Sequence, residues 1–420
     1  MLQTGRYSQE NIREIQRACC RVFMSEKAMH SAVVSEKNRL TLRYPFLEQL
    51  TYDEVKRAYR ANVLAYHPDR HQDKTPEDID FFERHVEGVN RSYEYLAHLF
   101  GKNKPGTLTE NPGRKRRIIA VGGAKGGIGK SIFAANLGMM LSSMGFKTAL
   151  VDLDLGGANL HIYLGLKRIP EVTLNDFLNR KISSLNDAAV AFKHGPILFG
   201  GDNGELGAAN IHFQKKLRLI ENIQKMDADY VILDLGGGTN FNTLDFFLAS
   251  DIGIVLSTLD QSAYLEAYAF IKTALQRKLH RLFAANSPFP AQHNAALKKI
   301  ILEGTRASEK DLPRTIQDLL EKVSREDPVS LPLIADEILS FSPYLVINNC
   351  FDNNEALDVV ASLRTVACKR LSIDISHIGT VSKHPIVERA TSYLHHPLVT
   401  RHNTSKFTSE IKSILEILKL

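Results

Sequence analysis

No run of apolar residues in this 420-residue chain reaches the roughly 18 to 20 needed to cross a bilayer as a helix. The first twenty residues, MLQTGRYSQENIREIQRACC, are too polar for a secretory signal, so a cytoplasmic protein is expected. Cysteine is scarce: Cys19, Cys20, Cys350 and Cys368 form no CxxC and no Cys/His cluster, which argues against a disulfide framework or a structural metal. Internal repeats and low-complexity tracts are missing as well. The net charge of +6 is spread thinly along the chain, so specific nucleic-acid recognition is not expected. What is present is globular material, 44% hydrophobic and 24% charged, with room for two or three domains.

The chain changes character at GKNKPGTLTENPGRKR, a proline- and glycine-bearing stretch that reads as a linker over 102–116. Before it lies helix-rich sequence without a convincing strand. After it, β-branched runs at Ile118–Val121, Thr148–Val151, Tyr230–Leu233, Ile252–Leu256, Tyr344–Ile347 and His377–Val381 alternate with helical periods. That rhythm predicts an α/β domain over 117–420, a doubly wound and mostly parallel sheet wrapped by helices. Residues of about 276–342 break the rhythm with Lys/Arg-rich helical pieces and prolines, and read as a helical insertion.

The stretch RIIAVGGAKGGIGKSIFAANLGMMLSSMGF is a strand, a glycine-rich loop and a helix. Phosphate binding needs that context, because small loop residues let backbone N–H groups close around an anion at a helix N-terminus. Gly126, Gly127, Gly129, Lys130, Ser131 and Ile132 are the expected cradle; Lys130 reaches the β- and γ-phosphates and the Ser131 hydroxyl holds Mg²⁺. The pattern G-x-x-x-x-G-K-[ST] is met except that Ala124 replaces its first glycine. A second lysine, Lys125, stands at the other end of the loop, and both lysines cannot sit best on one phosphate.

KGGIGKS resembles the deviant Walker A motif of the MinD/ParA family of P-loop ATPases. The resemblance implies an ATP sandwich homodimer in which Lys125 reaches the partner's nucleotide. KTALVDLDLGGANLHIYLG resembles that family's second strand and switch I, which implies Asp152 near the Mg²⁺ shell, Asp154 on the attacking water and Asn159 across the dimer. DADYVILDLGGGTNFNTLDFFLASD resembles Walker B and switch II, with Asp234 accepting from Mg²⁺-bound water. The runs ILFGGDNGELGAAN and IVLSTLDQSAYLEAYAFIKTAL place the chain nearer the MinD/FlhG branch than the plasmid-partition proteins. Asn348, in YLVINNC, falls where the family has an Asn that reads adenine, while Ser382-Lys383-His384 departs from the Pro and acidic residue of many relatives. The cofactors implied are ATP and Mg²⁺.

Upstream, Val55, Ala58, Tyr59, Val63 and Tyr66 follow helical spacing, with Lys56, Arg57 and Arg60 on another face. His67-Pro68-Asp69 ends that helix and a second amphipathic helix comes next. This arrangement over 40–101 resembles a small all-α J-domain, whose HPD tripeptide and basic helix dock on a DnaK-type chaperone. Residues 1–39 read as a helical extension without an assigned role.

Two functions are expected from these motifs. One is an ATP-hydrolysing switch for spatial positioning that also recruits a chaperone; the alternative is a J-domain co-chaperone adaptor that uses the P-loop domain as a nucleotide-binding targeting scaffold. The C-terminal FTSEIKSILEILKL puts Phe407, Ile411, Ile414, Leu415 and Leu418 on one helical face. Its polar face lacks the basic excess of a lipid-binding helix, so packing on the sheet is expected ahead of peripheral contact with the inner face of the membrane.

Overall fold

A computed structural model describes residues 15, 18, 19, 22, 50–67, 76–100, 116–193, 195–202, 211–284, 294–305, 315–327, 330–385, 387, 399 and 404–420. In chain order its elements are α1 (Tyr52–Tyr66), α2 (Pro76–Leu99), β1 (Arg117–Gly122), α3 (Lys130–Ser143), β2 (Thr148–Leu153), α4 (Leu160–Tyr163), α5 (Leu174–Leu178), β3 (Ala189–Ala191), β4 (Ile197–Phe199), α6 (Phe213–Ile223) and β5 (Tyr230–Leu235). They continue with α7 (Phe241–Leu248), β6 (Ile252–Ser257), α8 (Gln261–Arg281), α9 (Ala295–Thr305), α10 (Ile316–Glu326), α11 (Leu331–Leu339), β7 (Tyr344–Cys350), α12 (Asn353–Leu371), β8 (Ser376–Ser382) and α13 (Lys406–Ile417). The chain divides into two compact units, one of residues 1–112, 278–342 and 365–374, the other of 113–277, 343–364 and 375–420.

The second unit is an eight-stranded sheet in the order β3-β4-β2-β5-β1-β6-β7-β8. All pairings are parallel except β3 with β4. The six expected strands are all present; the short strands β3 and β4, with β3 at the sheet edge, are additions. Central strands such as β2 are buried along their whole length, as a sheet covered on both faces requires. On one face α3 and α13 close a core with Ile119, Leu150, Ile232 and Ile254. On the other, Phe247 of α7 and Phe270 of α8 meet edge to face with centroids 5.0 Å apart, over Gly122 and Gly253.

The largely apolar stretch Phe133–Leu141 of α3 fits its burial, since a helix segment apolar on nearly every side has no solvent face to present. At the other end of the chain, Phe407, Ile411, Ile414, Leu415 and Leu418 are all buried in the same core. The Glu410 carboxylate accepts from the Ser382 N–H and hydroxyl at 2.9 and 2.5 Å, locking α13 to β8. The apolar face of α13 is therefore packed inside the fold, the arrangement expected ahead of membrane contact. No helix of the described residues is long and apolar enough to cross a membrane.

In the first unit, α1 opens with a capping box between Thr51 and Glu54 and ends at His67. It packs on α2 through stacked Tyr59 and Tyr93 rings, 4.0 Å between centroids, with the Tyr52 and Tyr93 hydroxyls 2.7 Å apart and the Tyr59 hydroxyl donating to Asn90 at 2.9 Å. Burial and the Tyr52 hydroxyl push Tyr93 up to about 12. Val55, Leu50 and Leu96 join Ile15, Ala18, Cys19 and Val22 in a small core. Arg57 and Arg60 are exposed and Lys56 is half-buried, so the expected basic face is available; Pro68 and Asp69 lie outside the described residues. So do residues 101–115, on which most of the expected linker falls, and residues 203–210 of the ILFGGDNGELGAAN run.

Candidate nucleotide site

The site stands at the C-terminal ends of β1, β2 and β5, where ligands bind in open parallel sheets. β1 runs into the loop 123–129 and α3 begins at Lys130 without a side-chain cap, leaving backbone N–H groups at the helix start available to an anion. Gly129 adopts φ 90°, and a Cβ there would lie 2.5 Å from the Asn348 amide nitrogen. Glycine is thus required twice over, by backbone conformation and by the close approach of β7. Asn348 donates its Nδ2 to the Ile128 carbonyl at 2.7 Å, so its amide nitrogen serves the loop itself. Ser131 and Ile132 lie in the first turn of α3, both half-buried.

Lys130 is buried and its ammonium donates to the Lys125 carbonyl at 2.9 Å. Burial lowers its pKa, against the pull of Asp234 and Asp154. Lys125 points elsewhere: its ammonium contacts Asp260 Oδ2 at 3.1 Å and donates to the Ser262 hydroxyl at 2.6 Å, both at the start of α8. Sequence reading missed these two partners. They come after β6 in the run LDQSAY, and only the parallel pairing of β6 with β1 brings that run beside the loop.

The carboxylates come from adjacent strands, Asp152 opposite Asp234 in the β2–β5 register. Asp152 accepts from the Asp154 and Leu160 N–H groups at 3.2 and 3.0 Å, which straps the segment after β2 to the strand end. Asn159, just before α4, is exposed and makes no capping bond. Half-buried Asp154 faces the glycine run after β5: a Cβ on Gly236 would sit 2.9 Å from its Oδ1, so a larger residue there would displace it. The Gly238 N–H donates to the Ala124 carbonyl at 2.8 Å, joining the glycine run after β5 to the loop 123–129.

Burial raises Asp152 well above the ordinary carboxylate range, with Asp234 adding to the effect. Asp234 is pushed up to about 7, chiefly by burial and further by Asp154, while Ser131 and Lys130 oppose the shift. Both Asp234 oxygens are buried without a hydrogen bond of good geometry, although the Ser131 hydroxyl is near enough to lower the pKa. A buried carboxylate left short of partners beside a hydroxyl and a second carboxylate is a hard-oxygen donor set of the kind Mg²⁺ takes, with substrate phosphates completing the shell. The expected residues Ser131, Asp152 and Asp234 therefore fit the ion. No group of three or more His, Cys, Asp or Glu suited to a metal occurs among the described residues.

The family model "ParA: NUBPL iron-transfer P-loop NTPase" matches residues 114–278. Flagellum site-determining protein YlxH of Helicobacter pylori is 29% identical over 211 residues, 47% of this chain and 67% of that protein. Residues 114–278 are thus similar to P-loop NTPases of the ParA family. Among the chain's other relatives, septum site-determining protein MinD of Synechocystis is 32% identical over 154 residues, 36% of this chain and 56% of its own length. The chain thus spans about two thirds of the length of YlxH and just over half of that MinD. The solved MinD of Pyrococcus horikoshii, complexed with Mg-ADP, is 17% identical and aligns over 72% of this chain and 96% of its own, with a TM-score of 0.46.

One further group marks the P-loop domain. Asp245 of α7 is buried and accepts from Arg277 Nε and a terminal guanidinium nitrogen, both at 2.8 Å, and from Lys216 of α6. Burial alone would raise its carboxyl, but the bonds from Arg277 and Lys216 outweigh that and hold it below the usual range. This triad ties three helices together; its members are far apart in sequence and nothing local announced it.

Proposed function

We propose that the P-loop domain is an ATP-hydrolysing switch that dimerises around bound ATP and serves spatial positioning. The observation that carries the reading is one phosphate loop with a lysine at each end, facing an acid pair held in register by β2 and β5. Backbone N–H groups of 126–129 and the start of α3 bind the phosphate chain, and Lys130 exchanges the Lys125 carbonyl for β- and γ-phosphate oxygens. Ser131, Asp152 and Asp234 would hold Mg²⁺, which when bound neutralises charge on those oxygens. Asp154 orients the attacking water, Asn159 meets the partner protomer, and Lys125 leaves Asp260 and Ser262 to reach the partner's nucleotide. Catalysis here is positioning and charge neutralisation, so turnover is slow until an activator completes the site. The names of the relatives, flagellum- and septum-site determination, support a positioning role, and the proposed setting is the cytoplasm.

The α1–α2 hairpin is proposed to act as a J-domain that docks on a DnaK-type chaperone through His67, Pro68, Asp69, Lys56, Arg57 and Arg60. Its support is the helix ending at His67 and the exposed arginines on α1. The test is the ATPase rate of a DnaK-type chaperone with wild type and His67→Gln. Stimulation by wild type alone supports recruitment; no stimulation by either refutes it. ATP turnover by wild type but not by Lys130→Ala tests the hydrolytic reading separately.

A further inference from the structure

The far ends of β7 and β8 hold two side chains that the phosphate chemistry does not use. Phe351 directly succeeds β7 and is 78% exposed, and the ammonium of Lys383, the residue after β8, stands 4.9 Å from the centre of its ring. The backbone on either side is pinned. The Lys383 N–H donates to the Cys350 carbonyl at 2.8 Å, the Cys350 thiol donates to the Asp352 carbonyl at 3.0 Å, and the Asp352 carboxylate accepts from the Asn354 N–H at 2.8 Å. The aromatic ring is thus presented to solvent from a fixed base rather than from a free loop.

The topology says what could reach it. β5 and β2 lie on one side of β1, while β6, β7 and β8 lie on the other. The acid cluster Asp152, Asp154 and Asp234 belongs to the first side. A nucleotide with its phosphates in the loop and its γ-phosphate toward those carboxylates therefore extends its nucleoside over the second side. Asn348 bridges β7 to the phosphate loop, which puts the end of β7 one side chain away from the bound phosphates. Its amide nitrogen is committed to the Ile128 carbonyl, so Asn348 has only its Oδ1 to offer a base edge, and support for the face of the base falls to residues further along the chain. Three positions on is Phe351.

We infer that Phe351 is the base platform of this nucleotide site, stacking a purine on the ring face that Lys383 does not cover. The inference rests on the proposed ATP binding and adds a specificity-determining residue to it. Stacking scales with the overlap of flat surfaces and reads no hydrogen-bond code, so the platform favours purine over pyrimidine nucleotides.

The test is calorimetric titration of the full chain, in Mg²⁺, with ATP, CTP and inorganic tripolyphosphate, for wild type, Phe351→Ala, Phe351→Tyr and Lys130→Ala. Because Phe351 is exposed, its truncation leaves the core intact. Phe351→Ala should weaken ATP on the order of tenfold, the usual scale for losing one base–aromatic stack. It should leave tripolyphosphate unchanged and erase most of the preference for ATP over CTP; Phe351→Tyr should restore both. Lys130→Ala should weaken ATP and tripolyphosphate alike. If wild type binds ATP and Phe351→Ala binds it equally well, the platform is wrong and the phosphate site stands. If wild type binds neither ATP nor tripolyphosphate, both readings fall together.

Discussion

Replacing Asp234 with Asn should stabilise the nucleotide-free protein. The carboxyl is buried, its oxygens lack good hydrogen bonds, and its cross-strand neighbour is another buried acid, Asp152. Moving a carboxyl from 3.8 to about 7 favours its protonated form in the fold over the unfolded chain by about 4 kcal/mol. The folded state therefore binds more protons than the unfolded state across that interval, and stability falls as pH rises through it. Above pH 7 the whole penalty is present. An Asn amide carries no charge and can donate to Asp152, so it relieves the repulsion; relaxation and added water would leave about half the penalty to recover, ~2 kcal/mol or roughly 4–8 °C in Tm. Thermal denaturation in EDTA without nucleotide should show that gain at pH 8 and little of it at pH 4. A variant less stable than wild type at pH 8, or a gain independent of pH, would refute the reasoning. The cost should appear in function, with the Mg²⁺ dependence of nucleotide binding lost.

Asp245→Asn acts in the opposite direction: it leaves the Lys216 and Arg277 cations together in a buried site and should cost about 3–5 kcal/mol, read as a lower denaturation midpoint at pH 7. Because the Asp245 carboxyl is held below its usual range, wild-type stability from this triad should persist above pH 4 and fade as pH drops further, a limb the variant lacks. Asp260→Asn removes a partly exposed ion pair worth at most about 1 kcal/mol, so its effect on stability should be small. It should nonetheless free Lys125 and lower the ATP concentration at which dimer forms severalfold, measurable by light scattering. Truncation before Ser405 removes five core residues and should yield insoluble protein rather than a folded chain that has merely lost affinity for vesicles.

Local signals carried most of the sheet. The six β-branched runs each became a strand because parallel strands buried on both faces need continuous apolar sequence. β3 and β4 escaped because strands of three residues have no periodicity to read. The phosphate loop was legible because strand, glycines, lysine and helix are contiguous. What local sequence could not supply were contacts set by topology: Lys125 on Asp260 and Ser262, Asn348 on the Ile128 carbonyl, and Asp245 between Lys216 and Arg277. Asn348 illustrates the limit, since its place beside the nucleotide loop was readable while the atom it donates to was fixed only by β7 lying two strands from β1.

ATP-dependent dimerisation is the property on which the proposed switch depends most directly. Mass in solution by light scattering, with and without ATP and Mg²⁺, should be compared for wild type, Lys130→Ala and Asp154→Ala. The expected outcome is a monomer without nucleotide, a dimer with ATP that accumulates in Asp154→Ala because hydrolysis no longer disperses it, and no dimer in Lys130→Ala. A mass unmoved by ATP in all three proteins would contradict the switch and leave a chaperone adaptor on a nucleotide-binding scaffold.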